Sequence, residues 1–406
     1  MRRAILTLIG VATFIGVLVA FLPKRSNPSL NPPVPRLAWV FEAPRPGTVI
    51  ATPCATPEAI YVAAAHARGF DRHGAVYAID PATGNQKWMF DRDGQMLPVA
   101  SSSLAFGAHL FVGEGMHGNF SCRLQCFDRL NGMPQWEFET GDHIEGGPAT
   151  SDGLVFFSAG NDGLYSLDAH SGAFKWNFRS DLHIDSTPDI AGGRLYVGSG
   201  KSRRFSTYQV VCLESATGKP VWRTPVNLPA WGNPAVVRDR VFIGLGNGRL
   251  NESARPPETP AGAFACFDAD SGKQLWSFPT GDAVFGRPVV IEEVVLFGSR
   301  DGNLYGVTLE GREAFRVSMG GPVVAGVVVS DGRAYAISVA GRIVCFDPSD
   351  GREIWLHELG RPGAVPRVFA TPVIVDRRLY IAAEMKMGET AIVSLFCFGL
   401  PDGGGS

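Results

Sequence analysis

Two short units of this sequence carry residue types that do chemistry: His143-Ile-Glu145 and His183-Ile-Asp185. Each ends three residues before a proline, Pro148 or Pro188. An imidazole beside a carboxylate can contact a polar ligand, join a divalent-metal site, or hydrogen-bond the backbone at the start of a strand. Spacing alone does not choose among these, so no residue is assigned to a metal. The position three residues before Pro234 and Pro288 holds Trp231 and Phe285 instead of an acid. Further histidines, His66, His73 and His117, lie in stretches that read as loops. The sequence holds no Gly-x-Ser-x-Gly, no His-Glu-x-x-His, no P-loop and no Cys-x-x-Cys-His, so no catalytic residue is assigned.

The elements that must position these residues come from a repeat. Trp88, Trp136, Trp176, Trp222, Trp276 and Trp355 each follow a glycine by four residues, and each glycine follows an acid by four. The acids are Asp80, Asp128, Asp168, Glu214, Asp268 and Asp347. A period of about 40–50 residues marks a repeat architecture. Within a unit, short apolar runs are broken at Asp152-Gly153, Asp162-Gly163 and Ser171-Gly172, the turn chemistry of hairpins. Four strands joined by three tight turns make one propeller blade. Starts near Pro53, Ala100, Pro148, Pro188, Pro234, Pro288, Gly326 and Pro372 give eight units. The last unit ends before its tryptophan. Leu37-Ala-Trp39-Val-Phe-Glu42 matches the Trp-x-Phe endings of the others, so the N-terminal segment is expected to supply that outer strand and close the ring. The reading is an all-β, eight-bladed propeller over residues 37–403, with Trp39 and the six others as docking residues.

Residues 1–22 differ in kind. Ala4 to Leu22 carries no charge after Met1-Arg2-Arg3, and reads as a signal peptide or membrane anchor helix. Residues 23–36 form a Pro-rich linker. The propeller is therefore expected outside the cytoplasm, periplasmic or at the cell surface, tethered by residues 4–22. A net charge of -2 argues against a nucleic-acid partner. Cys126, Cys212, Cys266, Cys345 and Cys397 share one repeat position, held elsewhere by Ala78 and Ser166. That slot wants a small buried side chain rather than a disulfide. Cys54 and Cys122 fall outside the pattern.

The repeat Leu-Tyr-x-Leu-Asp-x-x-Ser/Thr-Gly-x-x-x-Trp resembles the pyrroloquinoline-quinone-like (PQQ-like) β-propeller superfamily with its tryptophan-docking motif. The chain is nearest in size to the outer-membrane β-barrel assembly lipoprotein type. That resemblance implies a non-enzymatic binding or assembly scaffold with no cofactor. The other branch is the quinoprotein dehydrogenases, which imply PQQ and calcium. Their alcohol-oxidising type stacks two adjacent cysteines over the quinone, and no two cysteines are adjacent here. A third reading is a propeller that binds a small ligand.

Loop length separates the two ends of the blades. Connections between first and second strands, and between third and fourth, are short. Those between second and third are enlarged at Ala64–His73, Gly115–Cys122, Gly200–Gln209, Leu245–Gly262 and Glu384–Thr390. They emerge on the same face as the links between blades. Candidate binding residues are therefore Trp231, Arg249, Phe285, His143, Glu145, His183 and Asp185, facing a protein or polymer partner. Trp231, Phe285, Glu145 and Asp185 are expected to ring the channel mouth together.

Overall fold

The computed structural model describes residues 34–68, 71–246, 261–360 and 362–401. Among these residues six separate four-stranded antiparallel sheets follow one another, with a nine-stranded sheet in which Arg36–Thr48 joins two further four-stranded sets and Val365–Arg367 adds the ninth strand. The sheet of Ala149–Ser151, Leu154–Ser158, Leu164–Asp168 and Phe174–Phe178 shows the common plan. The one helical turn among the described residues is Arg92–Gly94. The anchor expected at residues 4–22 lies outside the described residues, as does Arg249. Among the described residues no helix is long and apolar enough to cross a membrane.

The acid of each repeat shapes its turn. One carboxylate oxygen of Asp168 accepts the N–H groups of His170 and Ser171 and the Ser171 hydroxyl. Those bonds hold its pKa down at about 2. The glycine that follows serves the preceding sheet, which spacing alone had not shown. Gly172 has φ +70°, and a Cβ there would meet the Trp136 ring at 2.7 Å. In the same way Gly84 faces Trp39, Gly132 faces Trp88, Gly218 faces Trp176 and Gly272 faces Trp222. The indole N–H then donates to a carbonyl of that turn: Trp39 to Pro81, Trp88 to Arg129, Trp176 to Ser215, Trp222 to Ala269 and Trp276 to Leu309, at 2.7–3.2 Å. Trp136 packs on its turn without that bond, and the Trp355 N–H is buried without an acceptor. Phe315, standing in for a tryptophan, rests on Gly351.

The small slot lies directly across the third–fourth strand ladder from the ring. Cys126 pairs with Trp136, Ser166 with Trp176, Cys266 with Trp276 and Cys397 with Trp39. All seven cysteines are free. Apolar cores form between successive sheets; Phe156, Leu164 and Trp176 pack with Leu195, Val197 and Leu213 of the next. Losing a large aromatic from such a core costs about 3–5 kcal/mol.

The N-terminal strand does join the last hairpin. Arg36–Thr48 pairs with Thr390–Gly399 from Arg36↔Gly399 to Pro46↔Ile392, then turns to the first set at Gly47↔His66. Two of the expected long loops are instead long hairpins. Ile60–Arg68 and Asp71–Ile79 pair as far as Arg68↔Asp71, and Arg378–Met387 pairs with Thr390–Gly399 as far as Met387↔Thr390. Their apolar runs, Ala63 to Ala65 and Ile381 to Ala383 with Met385, are buried on both faces, so the ladder runs on where a loop was expected.

Phe41 is buried on the strand that bridges the two sets. A fragment starting at Pro44 is therefore expected to melt well below one starting at Ser26, or to aggregate, in a thermal scan by circular dichroism. Equal melting temperatures would mean that the strand does not close the ring.

Candidate functional site

The site forms where the links between blades meet the second-to-third-strand turns. In His143-Ile144-Glu145 and His183-Ile184-Asp185 the isoleucine is fully buried. In extended chain its neighbours point the other way. Backbone bonds hold these links in place. Ile184 and Gly160 exchange N–H···O bonds at 3.0 and 3.1 Å, the Gly200 N–H donates to His183 at 2.8 Å, and the Ile144 N–H donates to Glu114 at 3.2 Å. Each link is thus fastened to the turn of a neighbouring strand pair.

Four side chains converge there: His117, His143, His183 and Asp185. One ligand-type atom from each lies within 4.8 Å of the others. The Asp185 carboxylate is 2.7 Å from His183 Nε2, 3.3 Å from His143 Nε2 and 3.6 Å from His117 Nε2. His117 and His183 face each other through Nε2 at 3.3 Å. His143 and His183 are buried, whereas the His117 side chain is half exposed.

Every imidazole is oriented from behind. His117 Nδ1 meets Glu145 at 2.7 Å, and Glu145 also accepts the His117 backbone N–H. His143 Nδ1 meets Asp142 at 2.7 Å. His183 Nδ1 meets Asn161 Oδ1 at 3.1 Å. The Asn161 orientation follows from its own bonds: its Nδ2 donates to Asp142 at 2.6 Å and its Oδ1 accepts the Ser202 hydroxyl. Each Nδ1 therefore donates, and each ring turns its Nε2 inward toward Asp185.

The electrostatics reflect that crowding. Burial acts to lower His143, but the bonds to Asp142 and the Asp185 carboxylate outweigh it and carry the pKa up to about 10. The Glu145 bond raises His117, against burial. Burial acts to raise Asp142 and Asp185, yet the facing imidazoles hold both well below the ordinary carboxylate range. His143 Nε2 and both Asp185 oxygens are nonetheless buried without a directed hydrogen bond.

Of the residues expected from sequence, His143, Glu145, His183 and Asp185 come together, and Trp231 walls them. Its ring stands 6.0 Å from His183 and 6.4 Å from His117, packed where a Cβ on Gly200 would come within 2.4 Å. Phe285 does not join them in the described contacts. It lies under Arg300, which pairs with Asp282 in the link two repeats on. There Ala283 occupies the His143 position. The alternative of backbone capping at strand starts does not describe His143 or His183, whose ring partners are side chains. Sequence reasoning placed His117 on this face but not in the cluster, and missed Asp142, Asn161 and Ser202. The recurring Thr-Gly-Asp at 140–142 and 280–282 was the available signal for Asp142. Beside His117 opens a cleft of about 580 Å³, lined also by Arg72, His73, Met96, Met116 and Asn119.

Comparison with known proteins bears on the fold and the family. A family model described as outer membrane protein assembly factor BamB matches residues 121–208 and 258–394, together more than half of the chain. BamB of Burkholderia pseudomallei is 26% identical over 246 residues, 59% of this chain and 58% of that protein. A quinoprotein ethanol dehydrogenase of Pseudomonas aeruginosa is 34% identical over 99 residues, 24% of this chain and 12% of that protein. Among solved structures, BamB from Moraxella catarrhalis aligns with a TM-score of 0.64 at 14% identity, over 92% of this chain and all of that one. Quinohemoprotein alcohol dehydrogenase from Comamonas testosteroni aligns at 0.66 and 16%, over 91% and 78%. At such identities the structures share the propeller fold and nothing finer. His143, His183 and Asp185 lie within the family match, while His117 and Trp231 lie outside it.

Asp142 holds His143 and also accepts the Asn161 backbone N–H and carboxamide. Asp142→Ala is expected to cost about 3 kcal/mol, as when one partner of a buried charged pair is removed. Denaturant unfolding checks this. A loss below about 1 kcal/mol, the worth of one ordinary hydrogen bond, would mean that solvent replaces the carboxylate at no cost.

Proposed function

Since this chain belongs to the outer membrane protein assembly factor BamB family, we propose that it is a non-enzymatic, extracytoplasmic scaffold for outer-membrane protein assembly. In this reading residues 4–22 tether it to a membrane, and the face of links and long hairpins binds a protein partner. The observation that carries the choice of face is the contrast between the two ends of the blades. On one end, side chains such as Asp80, Asp168 and Asp268 are consumed by their own turns. On the other, the hairpins Ile60–Ile79 and Arg378–Gly399 run past the turns, and the cleft beside His117 opens. Exposed apolar groups do not decide the matter, because Phe120 is 71% exposed on this face while Leu130 and Met133 are 57% and 61% exposed on the other.

The dehydrogenase branch offers weaker support. Its relatives match about a quarter of this chain, and the chain lacks the adjacent cysteines that the resemblance to that branch implies. Adding pyrroloquinoline quinone and calcium to the purified protein is expected to give no dye reduction with alcohols or sugars.

Capture of envelope proteins by the 37–403 fragment tests the scaffold reading. Trp231→Ala with Arg249→Ala is expected to weaken capture at least about tenfold, since aromatic and arginine residues are the commonest interface anchors. Asp239→Lys, in an exposed turn at the opposite end, is expected to leave it unchanged. Full capture by the double variant, with loss in Asp239→Lys, would place binding on the other face.

A further inference from the structure

We propose that His117, His143, His183 and Asp185 form a binding site for one divalent first-row transition cation of the zinc type. The sequence reading assigned no residue to a metal; the convergence of four side chains from two links and one loop is what changes that assignment.

Three observations carry the inference. The first is the direction of the ring nitrogens. Each Nδ1 is committed as a donor to Glu145, Asp142 or Asn161, so the three Nε2 atoms are left facing the Asp185 carboxylate at 2.7–3.6 Å. Such an arrangement is held either by protons on the Nε2 atoms or by a metal cation that replaces them. The second is spacing. A metal with Zn–N bonds of about 2.0–2.1 Å in a tetrahedron separates its ligand atoms by about 3.3 Å; contacts here of 2.7, 3.3, 3.3 and 3.6 Å bracket that value, and all four atoms lie within 4.8 Å of one another. The third is the outer layer. Metal-ligating histidines almost always donate their other ring N–H to a carboxylate or carbonyl, which fixes tautomer and orientation. All three do so here, and the Asn161 carboxamide ties two of those arrangements together.

The donor set selects the class of ion. Three imidazoles and one carboxylate suit zinc, copper, iron or nickel. Calcium and magnesium take oxygen ligands almost throughout. His117 is the ligand at the solvent side, at the edge of the cleft that it shares with His73 and Asn119. The ion would enter there. It would also fasten the loop of one sheet to the links that precede and follow the next.

The alternative is that protons alone hold the cluster together. Isothermal titration of the full chain, with purification tag removed and metal stripped by chelator, separates the two. The expected result is one equivalent of zinc per chain and no comparable uptake of calcium. His117→Ala, on an exposed loop, and Asp185→Asn, close to isosteric, are expected to abolish or strongly weaken zinc uptake. Glu145→Gln is expected to weaken it about 10–100-fold, the range for an outer partner. His109 and His170 form a separate exposed pair at the opposite end, 3.2 Å apart. Replacing both with alanine is expected to leave the single equivalent intact. The proposal is overturned if zinc is not taken up, if calcium binds as well as zinc, if His117→Ala and Asp185→Asn bind zinc like the parent, or if uptake is lost with the His109/His170 pair. Circular dichroism confirms folding of each variant, and if Asp185→Asn does not fold, His117→Ala decides alone.

Discussion

The indole of one sheet resting on the turn glycine of the next is the contact on which the rest of this structure depends. It combines three requirements in one place. The turn needs a residue that tolerates positive φ, the ring needs a surface with no Cβ, and the indole N–H needs a carbonyl. Gly172 beneath Trp136 and Gly218 beneath Trp176 meet the first two, and Ser215 meets the third for Trp176. Because each ring docks on the following sheet, the interaction sets the offset between neighbours. Repeated along the chain, it keeps successive links in equivalent positions.

That equivalence is what makes a site from distant residues. His143 and His183 are forty positions apart, yet they occupy one place in consecutive links. The buried isoleucine between each histidine and its acid turns both polar residues toward the same side. The turns of neighbouring strand pairs then contribute His117, Asn161 and Ser202. Two repeats later the same link carries Ala283 and Phe285, and Arg300 pairs with Asp282. A repeated frame thus presents different chemistry at each step while the backbone stays the same.

The fold was largely legible because its signals are local. Turn glycines, their acids and the tryptophans recur at fixed spacing, and Trp39-Val-Phe41 carries the same ending at the other end of the chain. The partner of each ring was not legible, since nothing within one repeat says that its glycine serves the sheet before it. The site was half legible. His143, Glu145, His183 and Asp185 share a repeat position and could be grouped. His117 sits in a loop with no counterpart elsewhere, and its place depends on how far that loop folds back toward Glu145. The long hairpins were misread as loops because small residues such as Ala63, Ala64 and Ala65 carry a weak strand signal, although they pair throughout with the opposite strand.

The central claim is that docking of sheet on sheet brings three imidazoles and a carboxylate to one point. The most direct measurement is a crystal structure of zinc-soaked protein with anomalous data collected at the zinc edge. The account predicts one strong peak about 2.0–2.2 Å from Nε2 of His117, His143 and His183 and from an Asp185 oxygen. No peak among those atoms, or imidazoles turned away from one another around Asp185, would contradict it.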